Sequence, residues 1–347
     1  MEKPRSYAGL KLSVVFSFRN EEDNIPELVR RVRSALDGEI DQEWLGAYEL
    51  IFVNDASTDR SEALLEELDQ GRNDIRIVTM SRPFGVAPCV LAGMEFADGD
   101  LLVYMDADLQ DPPEVIPEML KAWREAGNAD VVHTHRLRRD GESQLKLLLT
   151  KLGYWILTHF SSIPLEPEEG DFKLLSKRTV EHMINFKEYN PFTRGLVRWL
   201  GFKQIAIQYE RDERFAGETK FPIASSAVIR NFLTAALISY SDVPLQIASV
   251  VGLLSSMTAF AVLIHVLLEL MRGNNLPGWT AVMTSVLFLG GIQLLAIGIL
   301  GLYINSMFLQ TKGRPNYIVD RTYGFAEQGE SDHISQVAEA VIEGEVY

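Results

Sequence analysis

Two long stretches without a single acidic or basic side chain limit what this chain can fold into. From Val243 to Leu268 it reads VPLQIASVVGLLSSMTAFAVLIHVLL, and a second run free of Asp, Glu, Lys and Arg extends from Trp279 through Thr311. Each exceeds the roughly 20 residues that an α-helix needs to cross a bilayer. Helices of a soluble core rarely stay uncharged on every face for so long. Only ELMRGNNLPG separates the runs, enough for a tight turn. The expectation is a two-helix transmembrane hairpin at about 243–270 and 279–308.

An even number of spans leaves both flanks on one side. Lys220 and Arg230 precede the first run, Lys312, Arg314 and Arg321 follow the second, and the connecting loop carries only Arg272. This bias predicts a multi-pass protein of the cell (inner) membrane, with its large N-terminal part and its C-terminus in the cytoplasm. The opening MEKPRSYAGLKLSVVF has no convincing signal-peptide core, so LKLSVVFSF reads as a first strand. The final EQGESDHISQVAEAVIEGEVY holds acidic residues and no Lys or Arg, and reads as a mobile tail. A formal net charge of −15 argues against nucleic acid as a partner. A single cysteine, Cys89, excludes an intramolecular disulfide and a cysteine-based zinc site.

Before residue 140, apolar runs alternate with amphipathic segments. LSVVFSF, YELIFVN, IRIVTM, LLVYM and ADVVHTH read as strands, with helices at about Ile25–Leu36, Ser61–Leu68, Ala87–Phe96 and Pro113–Ala126 between them. The alternation predicts an α/β fold with a mainly parallel sheet and helices on both faces. No G-x-G-x-x-G follows the first strand and no G-x-x-x-x-G-K-[ST] occurs, which counts against dinucleotide-binding and P-loop readings.

The strands end in polar clusters: Arg19 to Asp23, Asn54 to Asp59, and Asp106 to Asp111. Clusters at the carboxyl ends of parallel strands define one ligand crevice. Within LLVYMDADLQDPPEVIP, Asp106 and Asp108 are two apart, which on an extended segment places them on one face. Close carboxylates repel unless a cation lies between them, and oxygen ligands suit Mg²⁺ or Mn²⁺ on a diphosphate. The same residues also read as a surface turn that starts the next helix, and Ser57 or Thr58 as the cap of SEALLEEL.

The ordered series SVVFSFRNEEDNI, VNDASTD, SRPFGVAPCVLAGM, MDADLQDPPE, RRDGES, GDFKLL, FTRGLVRWLGF, RFAGETKF, two apolar spans and RPNYIV resembles family 2 glycosyltransferases of the GT-A, Rossmann-like fold. Over roughly Leu10 to Val319 it is similar to their polyprenyl-phosphate branch, the bactoprenol glucosyltransferases and dolichol-phosphate mannose synthases. The resemblance implies a cytoplasmic catalytic domain over 1–215, interfacial helices over 216–242, the hairpin over 243–311 and an acidic tail over 312–347. It implies a metal-dependent hexosyltransferase of cell-envelope glycan synthesis. Such an enzyme moves one sugar, with inversion, from a nucleotide-sugar (UDP-glucose favoured) to polyprenyl phosphate, giving a polyprenyl-monophosphate-sugar. Nucleoside contacts would fall to Glu21 and Asp55, and metal and diphosphate contacts to Asp106, Asp108 and Gln110, with Asp106 facing the donor. Asp171 corresponds to a residue considered as a base, and Arg136, Arg139, Arg214 and Lys220 to receivers of the lipid phosphate. Membrane lipid and further copies of the chain, as in a homo-tetramer, complete the implied partners.

Other readings stay open. Asp171 also reads as a side chain that orients a loop or an arginine, and Arg136, Arg138 and Arg139 as a solvated basic face. His133 and His135 read as packing residues rather than ligands. Departures from the family pattern fall at Ser17, Arg19, Ala56, Leu302 and Ser306. A processive polysaccharide synthase is the first alternative, although Arg198-Trp199 lacks the upstream Gln of Q-x-x-R-W. A non-catalytic lipid-binding scaffold is the second.

Overall fold

Strand β1 (Lys11–Phe18) is buried along nearly its whole length, as a central strand covered on both faces must be. The computed structural model describes residues 9–137, 169–189, 191–211, 243–272 and 278–325. The helices are α1 (Ile25–Asp41), α2 (Ser61–Asp69), α3 (Val86–Glu95), α4 (Val115–Glu125), α5 (Lys177–Ile184), α6 (Thr193–Trp199), α7 (Val243–Met271) and α8 (Trp279–Thr311). The other strands are β2 (Ala47–Asn54), β3 (Ile75–Met80), β4 (Leu101–Asp106), β5 (Val131–Arg136), β6 (Glu169–Ser176), β7 (Gln204–Tyr209) and β8 (Val319–Tyr323).

The described residues form two compact units. The first carries one eight-stranded sheet in the order β7-β5-β6-β4-β1-β2-β3-β8. Four of its seven joints are parallel, and β6 and β8 supply the three antiparallel ones. The expected mainly parallel sheet is therefore present, with an antiparallel strand inserted beside β4. One face is sealed by a core of Leu12, Val14, Phe16, Leu50, Phe52, Leu101 and Val103 with the apolar stripes of α1 and α4. On the other face α3 lies so close that a Cβ on Gly93 would collide with the side chain of Val15. That tight contact requires glycine.

Two expectations change here. Residues 319–323 form an edge strand that pairs antiparallel with β3, so the segment after the second apolar run is not tail from residue 312 onward. Edge backbone of β3 would otherwise be left unpaired, and β8 satisfies it. Helix α2 is preceded by Arg60 and has no side-chain cap of its own, while Asp59 accepts the Ser61 amide at 3.1 Å. Ser57 and Thr58 are committed elsewhere, as described below.

The second unit holds α7 and α8, which pack on each other. Both are long and apolar enough to cross a membrane, over Pro244–His265 and Ser285–Thr311. Their apolar side chains face outward, as Leu253 and Leu294 do. Helix α8 half-buries Ile292, Ala296, Ile299, Tyr303 and Ser306 at three- and four-residue spacing, one helical stripe. Of the departures near its end, Ser306 lies on that stripe and Leu302 lies outside it.

Candidate active site

The first two strand ends are laced together by hydrogen bonds. Asp55 N–H donates to the Phe18 carbonyl at 2.9 Å, Asn20 N–H to the Ser57 hydroxyl at 3.0 Å, and Thr58 N–H to Asn20 Oδ1 at 2.8 Å. Glu21 N–H donates to the Ser61 hydroxyl at 2.9 Å, and Asn24 Nδ2 to a Glu21 carboxylate oxygen at 2.6 Å. Glu21 therefore opens α1 and stands at the rim of the same edge as Asp55.

Asp55 is buried and holds the next loop. Its carboxylate accepts the Phe84 amide at 2.6 Å and the Gly85 amide at 3.2 Å, with Gly85 at φ 95°. Burial and the Asp55 charge push the Cys89 thiol up, so it stays protonated. Between the two laced loops, Ala56 sits at φ 53°, a left-handed conformation that costs an L-residue about 1 kcal/mol. Ala56→Gly is expected to raise stability by about 0.5 kcal/mol, the relief being partly offset by the greater freedom of Gly in the unfolded chain. Thermal denaturation of both forms checks this.

Strand β4 ends at Asp106, opposite Ser17 of β1. The Ser17 hydroxyl donates to Asp106 at 3.3 Å, so the departure at Ser17 places a polar hydrogen beside this carboxylate. Asp108 lies beyond the strand on a turn, next to Leu109 at φ 58°, and accepts the Gln110 amide at 3.1 Å. The extended-segment argument for one shared face therefore does not apply; the turn brings the two aspartates into one neighbourhood. Burial first, then Asp171, Asp108 and Asp111, push the Asp106 carboxyl up to about 7. The charges of Asp171, Asp108 and Asp111 are thus all felt at Asp106, which carries the repulsion.

Asp171 reaches this place because β6 runs antiparallel beside β4, with Tyr104 opposite Lys173. Both Asp171 oxygens are engaged by Arg194 at the start of α6, one at 2.6 Å from Nε. Burial would raise the Asp171 carboxyl, but Arg194, Lys173 and Arg136 together hold it below the usual range. A lowered carboxyl is a poor base, and the fork geometry matches the arginine-orienting reading. Tyr104 lies fully buried among the same charges, and its hydroxyl has no hydrogen-bond partner among the described residues.

Arg136 belongs to a second knot. Asp111, almost fully buried, accepts from the Tyr209 hydroxyl and pairs with Arg211 at 3.3 Å and Arg136 at 3.8 Å. Burial would lower the Arg136 guanidinium, but Asp111 and Tyr209 leave it raised and firmly charged. Arg139, Arg214 and Lys220, and the expected interfacial helices over 216–242, lie outside the described residues. His133 is a buried structural residue, its Nε2 2.7 Å from Gln204 Oε1 and its Nδ1 2.6 Å from Glu169.

Arg194 and Tyr209 carry no role in the sequence reading above, and Asp111 enters it only as the end of the third polar cluster. Arg194 was present in the quoted FTRG and Asp111 in LQDPP, but only the β6 register and the β5–β7 pairing bring their partners near.

The residues fit a divalent cation. Among the described residues, no three His, Cys, Asp or Glu side chains converge as a self-sufficient metal cage. Asp106 and Asp108 with Gln110 instead offer a partial oxygen donor set, in keeping with a hard cation that takes its remaining ligands from a diphosphate and water. The high carboxyl of Asp106 is the electrostatic cost that a cation would relieve.

Residues 13–185 match the family described as Glycosyl transferase family 2. The uncharacterized glycosyltransferase YkcC of Bacillus subtilis (strain 168) is 38% identical over 316 residues, 91% of this chain and 95% of the relative. A prophage bactoprenol glucosyl transferase homolog of Escherichia coli (strain K12) is 35% identical over 90% of this chain and 99% of its own. The bactoprenol glucosyl transferase of Shigella phage SfII is 33% identical over the same shares.

Proposed function

This chain belongs to glycosyl transferase family 2, and from that premise we propose that it transfers one sugar from a nucleotide-sugar, UDP-glucose by preference, to polyprenyl phosphate. The observation that carries the reading is the placing of Asp106 and Asp108 at the carboxyl end of β4, beside β6 with Asp171, where neighbouring carboxylates raise Asp106 to about 7. The names of the bactoprenol relatives support the acceptor and the sugar.

In this reading Glu21 and Asp55 face the nucleoside, Asp55 also holding the Phe84–Gly85 loop in place. Asp106, Asp108 and Gln110 hold Mg²⁺ or Mn²⁺, which when bound offsets the charge of the donor diphosphate. The acceptor phosphate is already an anionic nucleophile, so the site needs position and charge rather than a strong base. One oxygen of that phosphate forms the new bond to the anomeric carbon while the bond to the nucleoside diphosphate breaks, and the configuration inverts. Arg136, fixed by Asp111 and Tyr209, receives the lipid phosphate together with Arg139, Arg214 and Lys220. Asp171 keeps Arg194 aimed at the same place.

The hairpin anchors this chemistry to the membrane. Residues 169–211 and 315–325 belong to one unit while α7 and α8 form the other, so the chain leaves and rejoins the same domain around the spans. That supports a hairpin with both flanks on one face, which the charge bias assigns to the cytoplasm.

The test is a panel of labelled nucleotide-sugars, each incubated with the purified protein, Mn²⁺ and undecaprenyl phosphate, with label counted in organic solvent. One donor, UDP-glucose, is expected to label the lipid; no transfer from any donor by folded protein overturns the proposal. Proton competition supplies a second check. Because Asp106 titrates near 7, apparent Mn²⁺ affinity is expected to fall about tenfold per pH unit below that value and to level off above it. Mn²⁺ titration followed by electron paramagnetic resonance reads this directly, and Asp106→Asn should flatten the profile.

A further inference from the structure

The motif RPNYIV after the second apolar run takes no part in the chemistry above, yet its surroundings tie it to the donor side of the sheet. Asn316 Nδ2 donates to the Glu188 carbonyl at 2.9 Å, Tyr317 hydrogen-bonds Glu95, and Ser81 N–H donates to the Ile318 carbonyl at 3.0 Å. Ser81 begins the loop that Asp55 holds by the Phe84 and Gly85 amides.

Arg321, on β8, makes the link with most consequence. Its Nε and a terminal nitrogen each lie 2.9 Å from one oxygen of Glu62, in the first turn of α2. Glu62 Oε2 accepts Asn54 Nδ2 at 2.7 Å, and Asn54 Oδ1 accepts the Ser57 amide at 2.8 Å. Ser57 in turn receives the Asn20 amide. Asn54 is buried to 1% exposure, and its amide has two unlike ends. With Glu62 held in place, the NH₂ end is committed outward and the carbonyl end must face Ser57. A Glu62 free to swing into solvent would release that commitment, and a flipped Asn54 would set NH₂ against the Ser57 N–H.

We propose that Arg321 is a positioning residue of the donor site: through Glu62 and Asn54 it fixes the Asp55–Thr58 loop, so the strand after the hairpin is a working part of nucleotide binding. This rests on reading that loop as a nucleoside contact. An exposed ion pair contributes little stability. Its function here is orientation, because a guanidinium fork fixes both carboxylate oxygens as a single ammonium cannot.

The experiment uses the full chain in detergent and measures hydrogen exchange of the residue 54–58 amides together with donor KM and kcat. Arg321→Ala is expected to speed Ser57 exchange and raise donor KM about three- to fivefold with kcat unchanged, the span that one exposed ion pair commands. Glu62→Ala should do the same, the double variant should add nothing, and Arg321→Lys should recover only part. Arg31→Ala removes another Arg–Glu fork, to Glu114 at the start of α4, and should change neither quantity. Unchanged exchange and KM in Arg321→Ala, or additive effects in the double variant, would overturn the proposal. Faster exchange in a chain that transfers no sugar would keep the positioning link and sink the transferase reading instead.

Discussion

Asp108→Asn is expected to lower sugar transfer at least about 100-fold, the scale on which loss of a charge-stabilising group in an active site is felt. Asp108 is 8% exposed, and its oxygen takes the Gln110 amide, an interaction the isosteric amide oxygen of Asn also accepts. The fold should therefore survive while one of the two charges proposed to bind the cation is lost. Unaltered circular dichroism with transfer reduced to the level of EDTA-treated wild type is the expected pair of results. Transfer within tenfold of wild type would remove Asp108 from the cation site.

The second large effect concerns stability. Glu169→Ala is expected to cost about 3–5 kcal/mol, because it strands buried positive groups. Glu169 lies 2.9 Å from Arg198 Nε, 2.6 Å from His133 Nδ1, and pairs with Lys173. Lys173 is fully buried, and burial brings its ammonium down to about 8 even with Glu169 beside it. In the unfolded chain a lysine titrates near 10.4, so the fold binds fewer protons than the unfolded state between those values and gains stability as pH rises. Glu169 is what keeps Lys173 as high as this, so in the variant Lys173 loses its proton below pH 8, and the deficit is accordingly expected to narrow as pH rises toward 8 and to stay constant beyond it. Urea unfolding at pH 7 and pH 9 measures both. Glu169→Gln, which keeps an acceptor, should fall between wild type and Glu169→Ala.

Glu169 also explains why α6 docks where it does. Arg194 and Arg198 are one helical turn apart, and Asp171 and Glu169 are two apart on β6, so one arginine fork and one single arginine–carboxylate bond fasten the short helix to the strand. One pair reaches the candidate active site and the other serves the interior.

What the sequence made legible follows from the range of the interactions. Apolar runs such as LSVVFSF and LLVYM announce strands covered on both faces, and the uncharged spans announce α7 and α8, because burial is encoded locally. The strand-end clusters were legible for the same reason: Asp55 and Asp106 sit where a parallel sheet places its ligands. The partners of those residues were not. Arg194 meets Asp171 across 23 positions, Tyr209 meets Asp111 across 98, and Arg321 meets Glu62 across 259. No periodicity connects such positions; they depend on the antiparallel insertion of β6 and the return of β8. The cap expected from Ser57 failed similarly, since its hydroxyl is taken by Asn20 from another strand end.

The mass of the lipid product tests most directly whether one sugar is placed on one polyprenyl phosphate. Wild-type protein, UDP-glucose, Mn²⁺ and undecaprenyl phosphate should give an organic-soluble species heavier than the acceptor by a single hexose unit, absent with Asp108→Asn. A ladder of hexose additions, or an acceptor of unchanged mass beside consumed UDP-glucose, would contradict the account.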